Sequence, residues 1–174
     1  PIVVKPSRDG SSIGISLLES AEGFNKAVQE AAKYDHIVLI EKLIKGKEVT
    51  VPVLDGRALT SVEISPKADF YNYENKYTAG KTDYILPANI SGPVAQACAR
   101  YAVQVSEVMR TRSYCRVDFL LDADEKPYVL EVNTLPGFTP TSLFPKSAKH
   151  EGIEFNQLIK HLIESAGLDY EGLL

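Results

Sequence analysis

Long apolar runs are missing from this chain. The longest, such as Ile37 to Ile40, fall far short of the roughly 18 residues that suggest a membrane span, so no membrane association is expected. Any block of Lys and Arg is missing too. With 19 basic against 23 acidic residues the net charge is -4, and a phosphate backbone is bound by clustered cations, so nucleic acid is not an expected partner. Cysteine is scarce: Cys98 and Cys115 allow at most one bridge, and neither sits in a C-x-x-C pair or beside a histidine at zinc-ligand spacing. Both read as reduced core thiols of a cytoplasmic protein. No cationic start followed by an apolar stretch marks a signal peptide, and the opening at Pro1 without methionine reads as a piece of a longer chain. What is present is 174 residues, 44% apolar and 24% charged, an ordinary globular composition with enough chain for one sizeable core or two small lobes.

Periodicity divides the chain into mixed elements. Ile2 to Lys5 and Ile13 to Leu18 read as strands around a polar, glycine-containing loop. Ser20 is positioned to cap a helix whose Phe24, Ala27, Val28 and Ala31 share one face. His36 to Ile44 reads as a strand, and Glu48 to Leu54 with Ala58 to Ile64 as a hairpin around Asp55-Gly56. From Ser65 to Leu86 the pattern dissolves into Pro66, Asp69, Asn72, Asn75, Gly80 and four tyrosines, Tyr71, Tyr73, Tyr77 and Tyr84; structureless loops of that length are usually functional. A helix follows over Pro93 to Arg112, with Val94, Cys98, Tyr101, Val105 and Val108 as its buried stripe. Arg116 to Asp122 and Pro127 to Asn133 form a second hairpin, Thr134 to Pro145 a Pro/Gly loop, and Phe155 to Ser165 a last amphipathic helix.

The second hairpin carries the chemistry. Its alternation points Val117, Phe119 and Leu121 one way, together with Tyr128, Leu130 and Val132. With a four-residue loop, Ala123 to Lys126, Asp118 falls opposite Glu131 and Arg116 opposite Asn133 on the second face. Opposed like charges are destabilising and call for a cation, and oxygen donors without His or Cys favour magnesium or manganese over zinc. The competing reading is a solvated polar face. The segment Leu135 to Ser142 follows as a loop with free amides and hydroxyls suited to a small anionic substrate.

Two further loops invite comparison with known chemistry. Lys5 to Gly14 has short residues whose backbone N–H groups can approach phosphate oxygens. Gly80-Lys81-Thr82 has the ending of a Walker A loop but Asn75 where the first glycine belongs. Gly10-Ser11-Ser12-Ile13-Gly14 matches the G-x-S-x-G nucleophile elbow, with Asp118 and His161 following in order; the elbow needs a strand-to-helix turn, whereas a strand-like segment follows here. Glu41 at the end of an apolar run, with Glu48 seven residues on, fits an adenosine pocket in which the backbone of Lys42 to Ile44 bonds the base. Taken singly, either glutamate is an ordinary surface ion-pair partner.

Together, Val4-Lys5-Pro6-Ser7-Arg8-Asp9-Gly10-Ser11-Ser12, Leu39-Ile40-Glu41-Lys42, Phe70-Tyr71-Asn72-Tyr73-Glu74-Asn75-Lys76-Tyr77, Arg116-Val117-Asp118 and Glu131-Val132-Asn133-Thr134 with Pro136-Gly137 resemble the D-alanine:D-alanine ligases, which are ATP-grasp enzymes. The resemblance covers nearly the whole chain but only the later half of a family member. It implies an α+β ATP-grasp fold of mainly antiparallel sheets with packed helices, lacking the N-terminal domain. Residues 1–43 would be the remainder of the central subdomain and 44–174 the C-terminal subdomain, with a mobile loop at 66–84. By the same resemblance Lys5, Ser11 and Lys76 meet ATP phosphates, and Glu41, Lys42, Ile44 and Glu48 hold adenosine. Asp118, Glu131 and Asn133 bind two magnesium (or manganese) ions, Arg116 and the Gly137 amide stabilise an oxyanion, and Ser142 and Leu143 hold the carboxylate of the second D-alanine. The resemblance also implies that Ser11 and Tyr77 belong to the catalytic set, that Tyr77 contacts substrate, and that Tyr77 marks the dipeptide-forming type.

The implied reaction passes through D-alanyl phosphate to the dipeptide of peptidoglycan, in cytoplasmic enzymes that are commonly homodimers at full length. The absent upstream portion supplies the first D-alanine site, so the segment alone is expected to have little ligase activity. A different acceptor such as D-lactate, or a non-catalytic MgATP-binding module, are the other readings.

Overall fold

The computed structural model describes residues 1–8, 13–66 and 82–167. Two compact units are present, 1–45 with 65–83 and 46–64 with 84–174.

In the first unit, β1 (Ile2–Pro6) pairs antiparallel with both β2 (Ser16–Leu18) and β3 (Val38–Lys42), in the order β2-β1-β3. Opposed residues share a face, so Ile2, Val4, Leu18 and Val38 lie together and pack under α1 (Phe24–Ala31) with Phe24, Ala27, Val28 and Ala31. The apolar stripe of α1 is the one its spacing predicts. Its cap is not: Ser20 accepts the Glu22 N–H at 3.3 Å in the preceding turn, and Gly23, at φ 78, stands at the N-cap. That left-handed conformation suits glycine and would strain a serine, so the helix starts after it. The strand expected from Ile13 is shortened to Ser16–Leu18.

The six-stranded sheet comprises β4 (Lys47–Leu54), β5 (Arg57–Ala58), β6 (Val62–Pro66), β7 (Thr82–Ile85), β8 (Tyr114–Leu121) and β9 (Pro127–Asn133), in the order β7-β6-β4-β8-β9 with β5 on β4. Asp55 and Gly56, at φ 48 and 73, make the tight turn expected of that dipeptide. The hairpin beyond it is broken, because Val53 pairs with Ala58 but Thr50 pairs with Val62. The Pro52 carbonyl accepts the Leu59 N–H at 2.8 Å; on that same side of the strand proline has no N–H to return, and the ladder restarts one residue out of step. Gly46 enters β4 where an added Cβ would stand 1.7 Å from the Leu121 carbonyl oxygen, so only glycine permits this approach.

One face of the sheet carries Val49, Val51, Val53, Cys115, Val117, Phe119 and Leu121 against α2 (Gly92–Val108). The helix presents Cys98, Ala102 and Ser106, while Tyr101 is 41% and Val108 81% exposed. Val94, Cys98 and Val105 of the expected stripe do face the core, whereas Ala102 and Ser106 replace Tyr101 and Val108 there; these small side chains let the helix sit close, and the Ser106 hydroxyl is satisfied by Thr111 at 2.6 Å. The other face ends in Leu54 and Tyr114, covered with Leu59 by α3 (Leu143–His150) and α4 (Phe155–Ser165) through Phe144, Ala148 and Leu158. Strand β7 lies within the stretch that reads as loop, and helix α3 begins inside the expected Thr134 to Pro145 loop and runs on to His150. Pro145 sits in the first turn of α3, where no N–H is needed. Among the described residues no helix is long and apolar enough to cross a membrane.

Candidate active site

The β8–β9 ribbon reaches its expected pairing by an unexpected route. Its loop runs over 122–126, five residues instead of four, because the Asp122 carboxylate gathers the N–H groups of Asp124 (3.0 Å) and Lys126 (2.9 Å) and the Tyr128 hydroxyl (3.1 Å). Bonds from Lys126 and its neighbours hold that carboxyl below its ordinary pKa. The loop pairs Leu121 with Pro127, Leu120 with Tyr128 and Phe119 with Val129. Continued unchanged, this register would turn Glu131 away from Asp118. A bulge between Asp118 and Phe119 instead leaves Leu130 as the extra residue and restores Asp118 opposite Glu131 and Arg116 opposite Asn133. Tyr128 is therefore opposite Leu120, not on the Val117 face as its alternation implied, and Leu130 has no partner across the ladder.

Asp118, 2% exposed, is the centre of the cluster. Its Oδ1 accepts from Thr50 Oγ1 (2.5 Å) and Arg116 Nε (2.9 Å), and its Oδ2 from Arg116 Nη2 (2.8 Å) and Asn133 Nδ2 (3.0 Å). Asn133 Nδ2 also donates to Glu131 Oε1 at 3.2 Å. Burial disfavours the Arg116 charge, but its bonds to Asp118 and the nearby charges of Asp118, Glu131 and Glu48 outweigh it, and its pKa is raised. The side chains of Asp118, Glu131 and Asn133 thus converge, with only hard oxygen donors once the Asn133 amide is turned over, and such a set fits magnesium or manganese. Two carboxylates and an amide make up the set; among the described residues no group of three His, Cys, Asp or Glu is placed to hold a metal. Thr50 was missed in the sequence. Its signal was a hydroxyl within the apolar run Val49 to Leu54, two residues from Glu48 and therefore on the same face.

After β9, the loop is pinned by Phe138, whose ring lies 5.4 Å from Tyr114, 5.6 Å from Phe144 and 6.2 Å from Phe155. Beside it, a Cβ on Gly137 would stand 3.3 Å from Ser142 Oγ, so a side chain there would press on the serine. Ser142 is the N-cap of α3; its hydroxyl accepts the Thr139 N–H at 3.0 Å and lies 2.9 Å from Thr139 Oγ1. Leu143 opens the helix, whose N-terminal amides favour an anion.

In the first unit, the face of the sheet away from α1 carries Val3, Lys5, Leu17, Leu39 and Glu41 by register. Lys5 Nζ meets Glu41 Oε2 at 2.9 Å. A cation and a carboxylate bordered by apolar side chains is an arrangement suited to phosphate, ribose and base. Lys42, opposite Ile2, belongs to the helix-bearing face. Ile44 is half-buried beyond β3, and the neighbouring Leu43 N–H is committed to the Pro1 carbonyl at 3.1 Å. Glu48 lies in the second unit, on β4 opposite Leu120. Ser11, Lys76 and Tyr77, with the loops that carry them, lie outside the described residues.

Solved structures of similar fold define its class. The chain is similar to the D-alanine–D-alanine ligase of Bacillus anthracis complexed with ATP, with TM-score 0.78, 32% identity and coverage of 95% of this chain and 53% of that one. It is likewise similar to the VanG D-Ala:D-Ser ligase of Enterococcus faecalis, with TM-score 0.81, 30% identity and coverage of 94% and 49%. The fold is therefore the α+β fold of the ATP-grasp ligases. More narrowly, the family model described as D-ala D-ala ligase C-terminus matches residues 1–164, and the chain belongs to that family. Curated D-alanine–D-alanine ligases from Methylacidiphilum infernorum and Syntrophotalea carbinolica are each 44% identical, over 98% and 97% of this chain and 56% and 55% of their own lengths. The chain spans about half the length of the curated relatives it matches.

Proposed function

We propose that the chain is the nucleotide- and metal-binding part of a cytoplasmic ATP-dependent D-alanine:D-alanine ligase, with residues 1–43 and 44–174 as its two subdomains. The observation that carries this reading is the convergence of Asp118, Glu131 and Asn133 beside Arg116. Those three residues would hold two magnesium or manganese ions, which when bound neutralise triphosphate charge and so favour phosphoryl transfer. Lys5 and Lys76 bind phosphates, Glu41, Lys42, Ile44 and Glu48 take adenosine, and Ser11 lies over the nucleotide. ATP phosphorylates the carboxylate of the first D-alanine, and the amine of the second displaces phosphate from the acyl phosphate. Arg116 and the Gly137 amide stabilise the oxyanion, Ser142 and Leu143 hold the acceptor carboxylate, and Tyr77 belongs to the loop that excludes water. The VanG relative, named for D-serine, supports a second reading in which the same machinery takes another acceptor such as D-serine or D-lactate.

The test joins the upstream part of a curated relative before Pro1 and measures D-alanine-dependent phosphate release beside the 174-residue chain alone. The joined protein is expected to turn over and the chain alone to bind nucleotide in a magnesium-dependent way with little release. Absence of magnesium-dependent nucleotide binding in both would overturn the proposal. Competition with D-serine and D-lactate separates the acceptors.

A further inference from the structure

Thr50 stands behind the acidic cluster and is fully buried on β4, directly across the ladder from Asp118. Its hydroxyl donates to Asp118 Oδ1, and Arg116 Nε donates to the same oxygen. A carboxylate oxygen offers two lone-pair directions, so Oδ1 is saturated by the protein. Oδ2 is different: one of its two partners is Asn133, a residue that itself belongs to the expected ligand set. We infer that Thr50 is a positioning residue which commits Oδ1 of Asp118 to the protein and presents Oδ2 alone to a divalent cation. The inference rests on the metal-binding reading above and goes beyond it, because it assigns a metal preference to a residue that touches no ligand.

A carboxylate restrained to one oxygen suits the compact octahedral shell of magnesium or manganese, whereas one free to swing can offer both oxygens, as the larger calcium shell accepts. Removing the Thr50 hydroxyl therefore changes selectivity as well as affinity. A residue that merely filled space would change neither ratio.

The experiment titrates the full chain with Mn2+ alone, following the electron paramagnetic resonance signal of the free ion, and repeats the titration against competing Ca2+. Thr50→Val, nearly isosteric, is expected to weaken Mn2+ binding about tenfold while weakening Ca2+ much less. Thr50→Ser, which keeps the hydroxyl, is expected to restore Mn2+ affinity and the Mn2+ to Ca2+ ratio to within about twofold of the parent. Circular dichroism checks folding, and Thr50→Ala stands in if the valine variant does not fold. Equal losses for the two ions, no loss in Thr50→Val, or failure of serine to rescue would each overturn the role of Thr50 while leaving the metal site standing. No Mn2+ binding by the parent chain would overturn the metal reading and this inference with it.

Discussion

Each unit places a lysine or arginine against a carboxylate, and the two pairs are built differently. Arg116 and Asp118 are 13% and 2% exposed and share two hydrogen bonds of 2.9 and 2.8 Å, with Thr50 and Asn133 filling the remaining acceptor directions. Lys5 and Glu41 are 18% and 41% exposed and meet through one contact of 2.9 Å. The buried pair is fixed by its surroundings, because an oxygen left unbonded there would bear the full desolvation penalty. Water can replace either partner of the other pair at little cost. The contrast matches the tasks proposed for them: a carboxylate that presents one oxygen to an ion must be rigid, and a lysine that grips a phosphate must be able to leave its resting partner.

Removing one member of the buried pair is the strongest way to break this contrast. Asp118→Asn leaves the Arg116 guanidinium charged, desolvated and without its bidentate partner. It is expected to cost about 3–5 kcal/mol of stability as well as Mn2+ binding, read by urea unfolding and by the free-ion signal. Replacing both residues, Asp118→Leu with Arg116→Met, should recover most of that stability but none of the binding. A loss under about 1 kcal/mol in the single variant, the size seen for surface pairs, would mean that the cluster is open to water and not preorganised.

Much of this site is legible in the sequence, because period-two alternation on two strands joined by a short loop places Asp118 against Glu131 and Arg116 against Asn133. The agreement conceals two departures that offset each other. Asp122 draws an extra residue into the loop, and the Leu130 bulge shifts the register back. Neither leaves a trace in an apolar/polar pattern, since Leu130 is as apolar as its neighbours. Thr50 is hidden for a related reason: threonine is a common strand residue, and only the register of β4 on β8 shows which carboxylate it faces. Helix α2 keeps Val94, Cys98 and Val105 of its expected stripe against the core, but Ala102 and Ser106 take the places that the pattern gives to Tyr101 and Val108, because large apolar residues outweigh small ones in such a pattern although small residues allow the closest packing. Proline in the first turn of α3 reads as a loop signal until Ser142 is recognised as the N-cap.

A third pair lies between the two extremes and sharpens the scale. Glu151 at the end of α3 accepts from Arg57 Nη1 (2.5 Å), the Thr60 N–H (2.7 Å) and Thr60 Oγ1 (3.1 Å), so it ties the helix to the chain after β5. Burial pushes its pKa up, but the bonds from Arg57 and Thr60 prevail and the value is lowered. A depressed folded pKa contributes stability in full above the unfolded value, about 4.3 for glutamate, and loses it as pH falls through the folded value. Glu151→Gln is therefore expected to cost about 1–2 kcal/mol at pH 7, with the gap to the parent closing as the pH is taken below the glutamate range. Urea unfolding at both pH values measures it, and a gap that stays constant would show that shape, not charge, secures the helix.

The smallest effect on stability belongs to Lys5 and Glu41. Replacing either, as Lys5→Met or Glu41→Gln, should change stability by less than about 1 kcal/mol, and a double-mutant cycle should find a coupling that fades as salt shortens the screening length. Nucleotide affinity should behave otherwise. Lys5→Met removes a cation proposed to meet phosphates, so binding of a fluorescent ATP analogue should weaken although the fold is untouched, whereas Glu41→Gln keeps a hydrogen-bonding group for ribose and should weaken binding less. If Lys5→Met instead destabilised the chain as much as Asp118→Asn does, the pair would be a structural clasp, and the division between a rigid carboxylate in one unit and a releasable lysine in the other would fall.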